Sequence, residues 1–249
     1  MKFIAVIPAR YASSRFPGKP LATLGGKMVI ERVYEQVSSV LDEVYVATDD
    51  ERIYNAVVGF GGKAIMTSDK HKSGTDRIAE AVEKIESKAD VVINIQGDEP
   101  FIHPDQIRTV MSLFDDNDTE IATLGKPFES MDAADNPNSP KIVVGQNGRA
   151  LYFSRSVIPF VRGKEHTDWL KYYPFLKHIG LYAYRRETLM KITKLEQTPL
   201  ELAESLEQLR WLEHGIAVKV GTTNCETIGI DTPEDLQRAE EFINKLAKE

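Results

Sequence analysis

Arg10, Arg15 and Lys19 stand in "IPARYASSRFPGKP", residues 7–20, a loop of Ala, Ser, Gly and Pro that follows the apolar run "KFIAVI". No packed core needs three cations there. Taken alone, a solvated surface loop accounts for them. Two carboxylates occur in the same kind of place: Asp98 in "QGDEP", directly after the apolar "DVVINI", and Asp231 in "IGIDTPEDL". Ligands of open α/β sheets bind outside the carboxyl ends of the strands, so all three segments are candidates. Asp98 is either a turn or capping residue, or a metal ligand or catalytic group. Asp231 alone reads as structural, because Thr232, Pro233 and Glu234 make a good helix start with Asp or Thr as cap. Together the segments offer cations for phosphates and two separated carboxylates that could share a divalent metal. Magnesium takes oxygen ligands and commonly bridges carboxylates to substrate phosphates, a neutralisation that nucleotidyl transfer needs. The loop has no GxxxxGK[ST], which excludes a P-loop, and no GxGxxG, which disfavours a dinucleotide dehydrogenase.

The elements that must position these residues alternate. "KFIAVI", "EVYVATD", "KAIMT" and "DVVINI" read as strands, and "MVIERVYEQVSSV", "ERIYNAVVGF", "DRIAEAVEKI" and "PDQIRTVMSLF" as helices. In the last, Ile107, Val110, Met111 and Phe114 share one helical face, with Pro104 in the first turn. This order predicts an α/β fold with a doubly wound, mostly parallel, Rossmann-like sheet. After about residue 125 the pattern changes to "KIVVGQNGRALYFSRS", where Asn147-Gly148 predicts a hairpin and the start of a small antiparallel lobe. "PLELAESLEQLRWLEHG" reads as one helix ending at Gly215, with Leu202, Leu206, Leu209 and Leu212 in the core. "IAVKVG" reads as a strand and "TPEDLQRAEEFINKLAKE" as a closing helix. No repeat or low-complexity linker interrupts residues 1–249, so the lobe, approximately 125–185, is expected as part of a single domain.

The chain carries 31 Lys and Arg against 38 Asp and Glu, a formal charge of −7, which disfavours nucleic acid as a partner. The cation cluster therefore runs against the overall sign. "FDDND" at 114–118 reads as a solvated acidic turn. No apolar run approaches the roughly 20 residues that cross a bilayer, and "MKFIAVIPAR" reads as a core strand rather than a signal peptide. The single cysteine, Cys225, cannot form an internal disulfide and suits a reducing compartment, so a soluble, cytoplasmic protein without membrane partners is expected. His103, His166 and His214 lack zinc spacing, and Trp169 and Trp211 read as packing residues.

"IPARYASSRFPGKPL" resembles the N-terminal signature of the 3-deoxy-manno-octulosonate (Kdo) cytidylyltransferases. "HKSGTDR" (71–77), "NIQGDEPFI" (94–102), "LYFSRSVIP" (151–159), "KHIGLYAYR" (177–185), "LEQLRWLEHG" (206–215) and "GIDTPEDL" (229–236) are similar to the family's later motifs, in the family's order and over nearly the whole chain. The resemblance implies a nucleotidyltransferase-type fold, CTP and Kdo as substrates, CMP-Kdo and pyrophosphate as products, and a Mg²⁺ requirement. It also implies a homodimer, with the antiparallel lobe serving sugar binding and dimerisation. Arg10, Arg15 and Lys19 match the triphosphate loop, and Asp98 and Asp231 the metal-binding aspartates. Lys19, Arg10 and Asp98 are the expected catalytic groups, with no nucleophilic side chain. The resemblance implies that "HKSGTDR" forms the cytosine pocket, in which Ser73, Gly74 and Arg77 match positions near the nucleotide and sugar; without it, a loop and a helix start capped by Ser73 or Thr75 is the favoured reading, and both can hold. Gln96, Arg155, His178, Tyr182, Glu207 and Gln208 match positions lining the Kdo site. Without the resemblance, His178 reads as a satisfied strand histidine, and Glu207 and Gln208 as an exposed helix face. His71 could touch the base, but a loop histidine is usually just solvated, so it is left out of the nucleotide set.

Two alternatives lie within the class. Sialic acid enzymes usually carry a Gly-rich, Lys-containing loop where this chain has "RYASSRFPG", whereas the 8-amino analogue of Kdo differs from it at one substituent. A non-catalytic binding module on the same fold predicts loss of a metal carboxylate or of the triphosphate cations, yet Asp98, Asp231, Arg10 and Lys19 are all present.

Overall fold

The computed structural model describes residues 1–13, 15–225 and 228–246. They form two compact units, the first comprising Met1–Arg108 with the C-terminal segment and the second Thr109–Cys225.

The first unit opens with β1 (Phe3–Ala9), whose Ile4 to Ile7 are fully buried. β2 (Thr23–Leu24) and β3 (Lys27–Met28) form a two-stranded hairpin. Its turn needs positive φ at Gly25 (54°) and Gly26 (80°), the glycine pair of a type I′ turn. α1 (Val29–Ser38) buries Val29, Ile30, Val33 and Val37 on one face. Then follow β4 (Val44–Thr48), α2 (Glu51–Gly59), β5 (Ala64–Met66), α3 (Gly74–Lys84), β6 (Val91–Asn94) and α4 (Pro104–Ser112). β6, β1, β4 and β5 lie side by side in that order, every pair parallel. Val6 of β1 is in register with Tyr45 on one side and Asn94 on the other. From β1 the chain winds outward through β4 and β5, then returns across β1 to β6. The doubly wound α/β class expected above is the one observed. Its switch point lies between β1 and β6, where the opening loop and Gln96–Asp98 emerge.

The second unit holds the antiparallel strands. β7 (Ile121–Pro127), α5 (Met131–Asp135), β8 (Lys141–Val144), β9 (Ala150–Ser154), β10 (Leu176–Arg185), α6 (Arg186–Ile192), α7 (Pro199–Glu204), α8 (Gln208–Glu213) and β11 (Val218–Thr222) follow one another. β10 pairs antiparallel with β7 and β8, β8 with β9, and β11 runs parallel to β7. The β8–β9 hairpin turns at Asn147-Gly148 as expected, with Gly148 at φ 72°. Antiparallel pairing already begins at β7, Ile121 onward. The expected single helix over 199–213 is two: Ser205 adopts φ 51° between α7 and α8. The break turns Leu202 out, 61% exposed, and Gln208 in, 5% exposed, so Leu202 is not a core residue and Gln208 is not on a solvated face. Both tryptophans are buried, Cys225 is half-buried, and "FDDND" is exposed after the buried Phe114.

The chain then returns to the first unit as α9 (Pro233–Leu246). Ile230 and Ala239 are buried with Leu24 and Val29, and Phe16 and Phe101 pack on the same cluster. This apolar seam fixes the segment carrying Asp231 against the opening loop. The last residues of the expected closing helix, 247–249, lie outside the described residues, as does Ser14 of the opening loop.

Candidate active site

A cavity of about 330 Å³ opens in the first unit at the carboxyl ends of β1 and β6, with Arg10, Arg15, Lys19, Ser73, Asp98 and Asp231 among its walls. Such a volume sits at the lower end of small-ligand sites.

Three distant segments meet at Lys19. Its Nζ lies 2.6 Å from Asp98 Oδ2 and 3.1 Å from Asp231 Oδ1, and its side chain is only 12% exposed. Arg15 Nη2 stands 3.1 Å from the other Asp231 oxygen, and Arg10 is exposed at the end of β1. Local backbone chemistry explains the convergence. Gly18, at φ 72°, donates its N–H to Tyr11 O at 2.9 Å, closing the loop so that Lys19 begins a short 3₁₀ turn with buried Pro20. A Cβ at Gly97 would meet Pro8 O at 2.8 Å, so only glycine lets the chain leaving β6 cross the end of β1 and deliver Asp98. Ile230 N–H donates to Asp98 O at 2.8 Å, tying the two aspartate segments together. The capping role is taken at α9 by its neighbours. Thr232 Oγ1 accepts from Asp235 N–H at 3.2 Å, and the Asp235 carboxylate accepts from the N–H groups of Asp231 (3.0 Å) and Thr232 (2.9 Å). The Asp231 carboxylate is thereby left to Lys19 and Arg15.

The other wall comes from the segment between β5 and α3. Ser73 Oγ accepts from Asp76 N–H at 3.1 Å, so the helix cap and the cavity position coexist in one residue, and Gly74 follows it. Arg77 also lines the cavity but is buried. Its guanidinium donates to Thr67 Oγ1 and Asp49 Oδ2, both at 2.7 Å. Two contacts were not legible in the sequence. The Arg52 guanidinium, held by Asp50, lies 3.3 Å over the centre of the Tyr11 ring. His71 is no solvated loop residue: it lines the cavity, and its Nε2 meets Glu80 Oε2. No local pattern signals that pair, since His71 precedes the helix that carries Glu80.

Gln96 also lines the cavity of the first unit, its amide donating to Asn94 Oδ1 at 3.3 Å. The other five expected sugar residues lie in the second unit. His178 Nε2 is 3.2 Å from Thr123 Oγ1, a hydroxyl anchored by the carbonyls of Ile179 and Leu181. Burial pushes His178 down to about 3, so its imidazole is neutral. The His178 and Tyr182 rings are 5.2 Å apart, and Trp211 meets Tyr182 edge-on at the same distance. Gln208 Nε2 is buried with no hydrogen bond from a described residue, whereas the buried Tyr182 Oη has Thr123 beside it, and a buried polar atom left without a partner is costly unless something answers it. Burial, with Tyr184 and Glu207, raises the Tyr182 phenol well above its ordinary value. Glu207 precedes Gln208 at the start of α8. Arg155 is engaged structurally: three of its N–H groups donate to the carbonyls of Pro137, Glu204 and Ser205, pinning the turn between α7 and α8.

Among the described residues no group of three or more His, Cys, Asp and Glu is arranged to hold a metal. Two carboxylates focused on one cationic atom do form an all-oxygen donor pair of the kind that suits a hard divalent cation.

The cytidylyltransferase family profile matches residues 4–228. A 3-deoxy-manno-octulosonate cytidylyltransferase of Parabacteroides distasonis is 63% identical over 247 residues, 98% of each chain. A protein of the same name from Porphyromonas gingivalis is 52% identical over 249 residues, covering 99% of this chain and 98% of that one. The solved structure of a CMP:2-keto-3-deoxy-manno-octonic acid synthetase complexed with CTP is 44% identical and superposes with a TM-score of 0.92, over 99% of this chain and 100% of that one. A 4-diphosphocytidyl-2C-methyl-D-erythritol synthase from Anaerococcus prevotii, 14% identical with a TM-score of 0.64, shares the fold alone. Profile, full-length identity and superposition agree: the chain belongs to the 3-deoxy-manno-octulosonate cytidylyltransferase family.

Proposed function

We propose that the protein transfers CMP from CTP to the anomeric hydroxyl of Kdo, releasing pyrophosphate and giving CMP-Kdo, the activated sugar for lipopolysaccharide synthesis. The observation that carries this is the meeting of Lys19 Nζ with Asp98 and Asp231 in a cavity whose rim adds Arg10 and Arg15. Arg10, Arg15 and Lys19 bind the triphosphate and offset the charge that develops on the departing pyrophosphate. Asp98 and Asp231 hold Mg²⁺. Bound there, the ion supplies charge neutralisation at the phosphates and favours ionisation of the attacking hydroxyl. Ser73 and Gly74 border the nucleoside, and Arg77, spent on Asp49 and Thr67, holds that wall in place. Positioning for in-line attack does the rest, with no covalent intermediate.

We assign sugar-acid binding to His178, Tyr182, Glu207 and Gln208 of the second unit, and to Gln96 within the first, each by its match to the family's positions. The neutral imidazole and the buried phenol and amide are suited to hydroxyl groups, which both donate and accept. Arg155 keeps donors beyond the three it spends on carbonyls, since a guanidinium carries five N–H groups. No described helix is long and apolar enough to cross a membrane, and we place the enzyme in the cytoplasm as a homodimer. The exposed Leu151, Phe160 and Tyr172, 63%, 75% and 53% accessible, support the segment around β9 and beyond as the dimer surface. Pyrophosphate release with CTP and Kdo, against UTP and against sialic acid, tests the function. Light scattering of the purified protein tests the dimer.

A further inference from the structure

His71 lines the cavity with a side chain only 20% exposed. Its Nε2 meets Glu80 Oε2, and Glu80 is itself fixed from two more directions. The Ser68 N–H donates to the same oxygen at 2.9 Å, and Lys84 Nζ stands 2.6 Å from Oε1 while donating to Met66 O at 2.8 Å. Burial works against the charge on Glu80, yet Lys84, Ser68 and His71 outweigh it and hold the carboxyl at about 2. A carboxylate only accepts, so in the neutral ring it fixes the imidazole proton on Nε2 and leaves a lone pair on Nδ1. No described group takes up Nδ1. An oriented imidazole with one open acceptor, at the edge of a cavity, is more than a loop anchor requires.

Phosphates carry acceptors only, so the open Nδ1 has nothing to offer the triphosphate. The donors that CTP brings are the 4-amino group of the base and the ribose hydroxyls. Resting on the function proposed above, we infer that His71 reads the base: Nδ1 accepts from the 4-amino group of cytosine and sets lone pair against lone pair with O4 of uracil. Glu80 acts through His71 as a positioning residue, because free rotation of the ring or exchange of its tautomer would turn the acceptor into a donor and invert the preference. Discrimination is strongest where a site group is left unpaired by the wrong substrate.

The test compares kcat/KM for CTP, UTP and 2′-deoxy-CTP in the parent, His71→Gln and His71→Asn. The glutamine amide can still donate to Glu80 but offers nothing at the Nδ1 position, whereas the asparagine carbonyl can stand near it. His71→Gln is expected to lose about tenfold or more of the preference for CTP over UTP, with the melting temperature and the preference for CTP over 2′-deoxy-CTP unchanged. His71→Asn is expected to keep most of the base preference. An unchanged base preference in His71→Gln overturns the inference, as does collapse of the ribose preference instead. Absence of CTP turnover in the parent itself overturns the proposed function, and this inference with it.

Discussion

Replacing Lys19 by Met keeps the side-chain stem and removes the charge on which three segments converge. Lys19 Nζ is within 2.6 Å of one carboxylate and 3.1 Å of another. Two unit charges about 4 Å apart interact by about 4 kcal/mol at an effective dielectric near 20, the scale of repulsion if the aspartates faced each other alone. Asp231 is 50% exposed and keeps Arg15 at 3.1 Å, so solvent and that second cation reduce the net loss to on the order of 1 kcal/mol. For a chain of this size that lowers the melting temperature by about 2–4 °C. The effect on turnover is larger, because a preorganised group facing charge that develops in the transition state is worth about 10²–10³ in rate. Thermal melts with and without Mg²⁺ and pyrophosphate release check both. Magnesium should raise the melting temperature of Lys19→Met more than that of the parent, since no resident ammonium opposes it between the two carboxylates. A variant turning over within tenfold of the parent, or equal stabilisation of both by Mg²⁺, would mean that Lys19 neither faces the developing charge nor stands between the two carboxylates.

Asp98→Asn should lose most turnover while binding of CTP without metal changes little; equal activity of variant and parent across a magnesium titration removes its ligand role. Gly97→Ala places a methyl 2.8 Å from Pro8 O, so backbone must shift: a loss of roughly 1–3 kcal/mol in urea unfolding should accompany a raised KM for CTP, and a variant with parental values shows that the crossing is not tight. Stability should also fall in acid. Glu80 is held at about 2 against an ordinary value of 4.5, so its contribution is complete above pH 4.5 and disappears as pH falls toward 2. Glu80→Gln should therefore flatten that limb of a stability–pH curve, and an unchanged slope there means that Glu80 is not held down.

The strand and helix order of the first unit was legible because its central strands, β1 and β6, are buried on both faces and read as continuous apolar runs. The paired positions at the carboxyl ends of β1 and β6 followed from that order. Which capping groups occupy the start of α9 did not, because Asp231, Thr232 and Asp235 all suit the role and only their hydrogen bonds separate them. The leucines of 199–213 keep helical spacing across Ser205, so periodicity alone carries one helix straight through the break. Long-range pairs were equally silent. Tyr11 with Arg52 and His71 with Glu80 depend on how loops pack, which no spacing encodes. The sugar residues of the second unit came from resemblance, and only the structure shows His178 neutral and Gln208 buried.

A single incubation decides whether nucleotidyl transfer takes place at the Lys19, Asp98 and Asp231 cluster. CTP labelled at the α-phosphorus is supplied with Kdo and Mg²⁺ to the parent and to Asp98→Asn. The parent is expected to move the label into CMP-Kdo, with one pyrophosphate released per label transferred, and the variant to move little. Label remaining in CTP with the parent under every sugar acid tried, while CTP binds tightly, would contradict it.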